Sequence, residues 1–144
     1  MQRMDRVLIL RKLAELDNYL AQLSEFSSLS ETEYQRDWKT QRIVDRTLQL
    51  VIECCTDIAN HAISAMALTV PTSYAHTYTV LGEAGLLDSG LADTMSRIVR
   101  FRNILVHQYT KVDSKIVADI LRNRLDDVRA YRAAVLGWLR MGQS

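Results

Sequence analysis

Apolar residues recur along the first half of the chain with the three- and four-residue spacing of amphipathic helices. The first stripe predicts a helix near residues 3–25, and it consists of Ile9, Leu13, Leu16, Leu20 and Leu23. After the polar break SSLSETEY, a second stripe predicts a long helix from Thr32 or Tyr34 to about Leu68. Its members are Val44, Leu48, Val51, Cys55, Ile58, Ala62 and Met66.

Turn and capping residues divide the rest of the chain. Pro71 ends the second helix, and Thr72 or Ser73 is a suitable N-cap for a short third helix at about 73–84. Gly85 then supplies the left-handed residue with which many helices end.

Two more helices follow. Ser89 and Gly90 open a fourth at about 90–108, and Asp113 or Ser114 caps a fifth at about 114–140. The inner side of the fifth helix carries Val117, Leu121, Val128, Tyr131, Val135 and Leu139. Because no strand-like alternation occurs, we expect an all-α protein: an antiparallel four-helix bundle with one additional short helix, forming a single domain over residues 1–144.

Composition narrows the possible partners. The chain has 144 residues, of which 48% are hydrophobic and 24% charged, so it can bury a substantial core. A net charge of +1 gives no overall attraction to nucleic acid, and any RNA binding must use a local patch. Basic residues concentrate late in the sequence, where most are expected only to solvate helix faces: Arg97, Arg100, Arg102, Lys111, Lys115, Arg122, Arg124, Arg129, Arg132 and Arg140.

The cysteines and the N-terminal segment indicate a cytoplasmic protein. Cys54 and Cys55 are neighbours, which cannot form a normal disulfide within a helix, so they are expected to be small hydrophobic residues in a reducing compartment. The N-terminal sequence MQRMDRVLILRKLAEL interrupts its apolar residues with charges, unlike a signal peptide. No stretch approaches the ~20 apolar residues of a membrane span.

The segment RFRNILVHQY, residues 100–109, places polar residues on both sides of the fourth helix. At about 100° per residue, with Ile98 at zero, the core face within about 60° contains Leu91, Met95, Phe101 and Leu105. Arg102 and Tyr109 fall in this same sector, at about 40° and 20°. The opposite face, between about 140° and 200°, carries Ser96, Arg100, Asn103 and His107.

Each of these polar residues has an ordinary structural explanation. Arg102 could pair with an acid of the second helix, Glu53 or Asp57, while His107 could face solvent and Tyr109 could close the helix end. Their combination also suits metal-independent RNA cleavage, because arginine holds phosphate and histidine moves protons near neutral pH. Arg102 and His107 are nevertheless about 140° and about 10 Å apart on a straight helix. A shared site needs a long reach, a bend, or a cleft between two subunits.

Other possible ligand clusters are less persuasive. Glu53, Asp57 and His61 repeat every four residues, but helix-surface carboxylates are common and no second ligand-bearing helix is evident. Tyr74, His76 and Tyr78 could stack on bases, yet their alternate spacing on a helix scatters them to different faces. No glycine-rich phosphate loop is present. We therefore expect neither a metal nor a cofactor.

The segment RNILVHQY resembles the Arg-polar-x-x-x-His signature of the HEPN superfamily, with Arg102, Asn103 and His107 at the matching positions. Tyr109, two residues after the histidine, resembles the further mark of HepT-like toxins. The likeness extends to IECCTDIANHAIS, PTSYAHTYTVLGEAGLL and GLADTMSRIVRFRNILVHQYTKVD, whereas residues 26–42 match no part of the pattern.

This resemblance implies a HEPN bundle that forms a homodimer, with a ribonuclease site in the cleft between subunits. Arg102, His107 and Asn103 would be catalytic. Glu53, Asp57 and Arg100 are possible supporting residues, which the resemblance itself does not assign. The implied partner is an MntA-like nucleotidyltransferase antitoxin that silences the toxin by transferring AMP to Tyr109. The alternatives are a non-catalytic helical partner or substrate-binding subunit of a minimal nucleotidyltransferase, and a plain dimerisation module.

Overall fold

The computed structural model describes residues 4–107 and 113–141, apart from the side chains of residues 106 and 107. These ranges contain helices and connecting segments and no strand. The helices are α1 (Arg6–Ser24), α2 (Glu31–Arg36), α3 (Trp38–Ala65), α4 (Tyr74–Glu83), α5 (Ser89–His107), α6 (Ser114–Asp119) and α7 (Leu125–Met141), with a π-helical turn (Ile120–Arg124) joining α6 to α7. The all-α bundle is confirmed.

The apolar stripes occupy the core as predicted. All five stripe residues of α1 are buried, and so are those of α3 except Met66, which packs half-buried against the core. Helix α3 contacts α1, α2, α4 and α5, which makes it the central helix of the bundle. None of the helices in the described ranges is long and apolar enough to cross a membrane.

The prediction of one uninterrupted second helix was wrong. Asp37 adopts an extended conformation (φ −117°, ψ 103°), ends α2, and caps α3 by accepting a hydrogen bond from the Lys39 amide. Helix α2 begins with its own capping box, formed by Ser30 and Glu33. Because these caps satisfy the free amides of two separate helix starts, the chain turns at Asp37 although its helical composition continues.

Helix α3 also ends three residues earlier than predicted, at Ala65 rather than Leu68. Ala67 takes a positive φ of 53°, and the Leu68 amide returns to the Ile63 carbonyl at 2.9 Å. This is the bonding pattern of a left-handed helix end, formed here without glycine.

The predicted caps around α4 are confirmed. Ser73 accepts a hydrogen bond from the His76 amide at 3.0 Å, and Gly85 has a φ of +77°. A Cβ at Gly82 would lie 2.9 Å from the Cβ of Ala92, so glycine allows α4 and α5 to pack closely. This close packing determines which side of α5 is covered.

The last helical run differs from its prediction in one detail. It begins after Asp113, which caps it through the Lys115 amide, but it contains the π-helical turn at Ile120–Arg124. The predicted inner residues of this run are all buried. The apolar stripe is broad at this point, because Ile120, Leu121 and Leu125 all lie in the core. The one residue that the π-helical turn adds therefore leaves the pattern compatible with an ordinary α-helix, and the sequence did not reveal the turn.

Buried polar groups tie the helices together beneath the surface. Tyr131 of α7 packs edge-on against Tyr78 and Trp138, and its hydroxyl donates to the Cys55 carbonyl at 2.8 Å. Burial raises the pKa of Tyr131 well above its usual value, so the phenol stays protonated and can donate. Cys54 and Cys55 are free and buried, in agreement with the sequence analysis.

Candidate functional site

Arg102 lies at a three-helix junction on the inner edge of α5. Its side chain is only 20% exposed, and its Nη2 lies 3.5 Å from Oε1 of Glu53 on α3. Its guanidinium carbon lies 4.8 Å from the centre of the Tyr74 ring, at the first residue of α4. The ion pair is one that the sequence predicted as an alternative, whereas the contact with Tyr74 was not foreseen.

The guanidinium of Arg102 is held in place but incompletely bonded. Its Nε is buried and has no hydrogen-bond partner among the described residues. The contact with Glu53 is single and long, and the same Oε1 also accepts from Gln49 Nε2 at 3.0 Å. Because a buried donor without a partner is costly, the guanidinium retains capacity for a further acceptor. A phosphate oxygen is well suited to a guanidinium fork.

The neighbouring residues of α5 explain why Arg102 is held inward. Phe101 and Leu105 are buried on either side of it and anchor the helix to the core. Asn103 follows on the exposed side, as predicted, and Arg100 is also exposed. The helix therefore presents a cation at its inner edge and an amide next to it on the surface.

Ser96 does not belong to the exposed polar stripe, and that part of the prediction was wrong. It is buried, and its hydroxyl donates to the Ala75 carbonyl of α4 at 2.9 Å. The helical wheel assumed a single covered face, whereas α4 covers a second side of α5. Only the later part of the stripe, at Arg100 and Asn103, faces solvent.

His107 is the last residue of α5. Its side chain and the whole of Tyr109 lie outside the described residues, as do the predicted helix end near residue 108 and Lys111. The predicted separation of Arg102 from His107, and the shared cleft that would reconcile their directions, therefore stay predictions.

The residues of the four-residue repeat on α3 have different partners. Glu53 contacts Arg102, and Asp57 lies 3.4 Å from Lys12 Nζ rather than near Arg102. His61 Nε2 accepts from the Asp5 amide at 2.9 Å. Within residues 4–107 and 113–141, no three acidic, histidine or cysteine side chains form a cluster that could hold a metal ion.

Most of the late arginines have carboxylate partners, which agrees with the expectation that they solvate helix faces. Arg97 pairs with Asp93 at 2.8 Å, and Arg129 pairs with Asp126 at 2.7 Å. Arg124 contacts both Asp119 and Asp127. The charges of Arg97, Arg124 and Arg129 are therefore largely neutralised by neighbouring carboxylates.

A groove that the sequence did not predict lies between α3 and Leu105 of α5, and we call it the Trp38 groove. It has a volume of about 520 Å³ and is lined by Trp38, Gln41, Arg42, Asp45, Arg46, Gln49 and Leu105. The signal was a tryptophan followed by arginines four and eight residues later, which share one face of a helix. It was obscured because the start of α3 was not recognised, so Trp38 had no assigned face.

Comparisons with known proteins place the chain in a family. A family model described as Ribonuclease HepT-like matches residues 16–135. The chain belongs to the HepT-like ribonuclease family. This agrees with the likeness found around Arg102, Asn103 and His107.

Individual relatives of this HepT-like chain are distant but cover most of its length. It is 27% identical over 124 residues to the mRNA nuclease HepT of Shewanella oneidensis, covering 86% of this chain and 92% of the relative. It is 28% identical over 113 residues to the tRNA nuclease HepT of Aphanizomenon flos-aquae, covering 78% and 77%.

A solved structure has the same fold as this chain. It is the tri-AMPylated HEPN toxin of Shewanella oneidensis in complex with the MNT antitoxin, and a chain of that complex superposes with a TM-score of 0.82 at 26% identity. The match covers 90% of this chain and 96% of the other.

Proposed function

We propose that this chain is a cytoplasmic, metal-independent endoribonuclease and the toxin of a toxin–antitoxin pair. The observation that carries the proposal is Arg102: a guanidinium that three helices orient, with a buried Nε that has no hydrogen-bond partner within residues 4–107 and 113–141. It lies five residues before His107 on α5. Membership of the HepT-like ribonuclease family supports the same conclusion.

In the proposed reaction His107 is the general base and Arg102 binds the phosphate. Neutral His107 removes the proton of a ribose 2′-hydroxyl, and the 2′-oxygen attacks the adjacent phosphorus. The bond to the 5′-oxygen breaks, and that oxygen takes a proton, which the protonated His107 can return. The products are a 2′,3′-cyclic phosphate and a 5′-hydroxyl, so no water or metal enters the bond changes.

Arg102 stabilises the negative charge that builds on the phosphate oxygens during attack. Glu53 positions Arg102, and Gln49 positions Glu53, through contacts of 3.5 Å and 3.0 Å. Asn103, exposed at the next position of α5, supplies an amide donor for a neighbouring phosphate or ribose oxygen. Arg100 adds positive charge on the same exposed side.

We further propose that two copies form the site. On a straight helix Arg102 and His107 point about 140° apart, so a cleft between two α5 helices allows the arginine of one subunit to meet the histidine of the other. Light scattering is expected to give a dimer under conditions where the protein cleaves RNA. A dilute monomer with full activity would contradict this arrangement.

The decisive test of the enzymatic proposal is His107→Ala. Because loss of a general base typically costs ~10²–10⁴-fold in rate, the variant is expected to lose cleavage of mRNA and tRNA substrates, assayed with EDTA present. Product ends should carry the cyclic phosphate. Undiminished cleavage by the variant, or full dependence on magnesium, would exclude the mechanism.

The proposed partner is a nucleotidyltransferase-fold antitoxin that transfers AMP to Tyr109. An AMP phosphate close to Arg102 would compete with RNA for the cation and obstruct the cleft. The AMPylated Shewanella oneidensis relative supports this proposal. Intact-mass measurement after incubation with the antitoxin and ATP should show AMP-sized additions on the wild type and none on Tyr109→Phe, which should keep much of its ribonuclease activity.

Additions that persist on Tyr109→Phe would mean that another residue is modified. If the wild type cleaves no RNA but still binds the antitoxin, the chain is a non-catalytic helical partner of the transferase. Growth arrest on expression of the chain alone would support the toxin, and normal growth would support the non-catalytic partner.

A further inference from the structure

The Trp38 groove combines an exposed aromatic ring with two arginines that lack carboxylate partners. Trp38 is 58% exposed at the first turn of α3, and Arg42 and Arg46 follow one and two turns later on the same side. Within the described ranges, neither arginine has a carboxylate oxygen within the 4.0 Å of an ion pair. They differ in this from Arg129 and Arg132 of α7.

The carboxylate that does line the groove is engaged elsewhere. Asp45 accepts a hydrogen bond from the buried Tyr34 hydroxyl at 2.6 Å. Burial raises the pKa of Asp45, and the hydrogen bond from Tyr34 opposes this shift. Asp45 supplies one negative charge against the two positive charges of Arg42 and Arg46. The groove is therefore electropositive in spite of the protein's near-zero net charge.

The groove runs towards the proposed catalytic residues. Gln49 lines it and also bonds Glu53, the partner of Arg102. Leu105 of α5 forms its other wall, two residues before His107. Arg46 precedes Glu53 by seven residues, which corresponds to about 10 Å along α3 and thus to a distance of a nucleotide or two.

We propose that the Trp38 groove binds the single-stranded RNA substrate next to the cleavage site, with a base stacked on Trp38 and phosphates on Arg42 and Arg46. Aromatic rings and cations along one groove form the usual site for single strands. In the free protein the Trp38 ring carries Arg42 at 5.1 Å and Lys39 at 5.7 Å from its centre. Such surface cation–π contacts are weak compared with base stacking, so a base can displace or join them.

This inference rests on the proposed ribonuclease function and concerns its substrate. The competing occupant of the groove is protein: a second copy of the chain or the antitoxin. RNA is favoured because Trp38, Arg42 and Arg46 follow one another by one helical turn. Such a row offers a ring for a base and two cations for successive phosphates of a single strand. Protein interfaces are also enriched in tryptophan and arginine, but a protein partner would have to place carboxylates opposite both arginines.

The test is binding of a 2′-O-methyl oligoribonucleotide, which cannot be cleaved because its attacking oxygen is blocked. The chain has two tryptophans, and Trp138 is 3% exposed, so quenching of fluorescence on binding reports chiefly on Trp38. We expect RNA to quench the fluorescence of the wild type. In Trp38→Phe the remaining tryptophan is Trp138, so any quenching left in this variant measures the contribution of Trp138, and we expect none. Trp38→Ala should bind ~5- to 100-fold more weakly, since stacking of one base has about that effect.

Salt dependence tests the arginines separately. For a single strand each lost phosphate contact lowers the slope of log affinity against log salt by ~0.7, so Arg42→Ala with Arg46→Ala should lower it by ~1.4. The matched control is Arg11→Ala on α1, another exposed arginine without an ion pair in the described ranges and outside the groove. It removes the same charge and should leave the slope within ~0.3 of wild type, less than half of one phosphate contact.

The outcomes distinguish this inference from the function on which it rests. If the wild type cleaves RNA through His107 while the groove variants bind and cleave like wild type, the groove inference fails and the function stands. If the groove variants instead lose dimerisation or antitoxin binding with RNA affinity unchanged, the surface is a protein interface and the inference fails. RNA binding with the predicted quenching, but no cleavage dependent on His107, would sustain the groove and overturn the function.

Discussion

Two arginines of this protein meet carboxylates in opposite ways. Arg132 of α7 bonds Asp17 of α1 through two nitrogens, with distances of 2.6 Å and 2.9 Å. Arg102 of α5 meets Glu53 through one nitrogen at 3.5 Å, and its buried Nε has no partner among the described residues. The better-bonded arginine is the more exposed of the two, at 31% against 20%.

The difference indicates what each arginine does. Arg132 bonds both carboxylate oxygens of Asp17 through the planar fork of its guanidinium, as expected of a structural contact between the first and last helices. Arg102 is less accessible to water and yet retains unused donor capacity, an arrangement that stabilises the fold poorly. A packed side chain with unused hydrogen-bond donors is typical of sites where a ligand supplies the missing acceptors.

Among Arg102, Glu53 and Arg132, replacing Arg102 should reduce activity most. Arg102→Lys keeps the charge but removes the planar fork, and the loss of one such donor typically costs ~10²–10³-fold in kcat. Unfolding followed by circular dichroism should show a stability within ~1 kcal/mol of wild type, because only one long ion pair is lost. A fully active lysine variant would show that Arg102 serves only as a point charge.

Replacing Glu53 should have a smaller effect on the same reaction. Glu53→Gln keeps the size of the side chain and can still bond Gln49, but it no longer holds Arg102 by charge. Because a misplaced binding group slows the chemical step, we expect kcat to fall about tenfold with KM nearly unchanged. A change confined to thermal stability would mean that Glu53 is a structural residue and does not position Arg102.

Replacing Arg132 should affect stability alone. Arg132→Ala removes the two bonds to Asp17, and for a partly exposed pair we expect a loss of about 1 kcal/mol, or a midpoint lowered by about 2–4 °C. Cleavage rate at 25 °C should equal that of wild type. Reduced cleavage with an unchanged melting temperature would mean that Arg132, like Arg102, contributes to activity and does not serve as a structural contact.

Local patterns in the sequence predicted the helices well where caps and periodicity agree. The α1 stripe, the Ser73 cap and the Gly85 stop all lie where they were predicted, because each depends on residues within a few positions of one another. The inward direction of Arg102 followed equally from its spacing to Phe101 and Leu105. The direction in which a side chain points around a helix depends only on its spacing from its neighbours, so one segment of sequence is enough to predict it.

The wrong bounds of the second helix arose because two local structures compete in that segment. Residues 31–65 remain helical in composition on both sides of Asp37, and only the formation of separate caps decides that the chain turns there. The break exposed Trp38 at a helix start and created the face on which Arg42 and Arg46 follow. A wheel drawn for one continuous helix could not reveal that groove.

The sequence by itself determined the helical class, the buried stripes, and the order Arg102, Asn103, His107 on one helix, because backbone periodicity relates neighbouring residues. Only the tertiary structure decided that Glu53 rather than Asp57 meets Arg102, that Tyr74 covers its guanidinium, and that Ser96 is buried beneath α4. These contacts join residues that are 21 to 49 positions apart. They depend on how closely the helices pack, at points such as Gly82 and Ala92, and spacing along one helix carries no information about the helix that lies across from it.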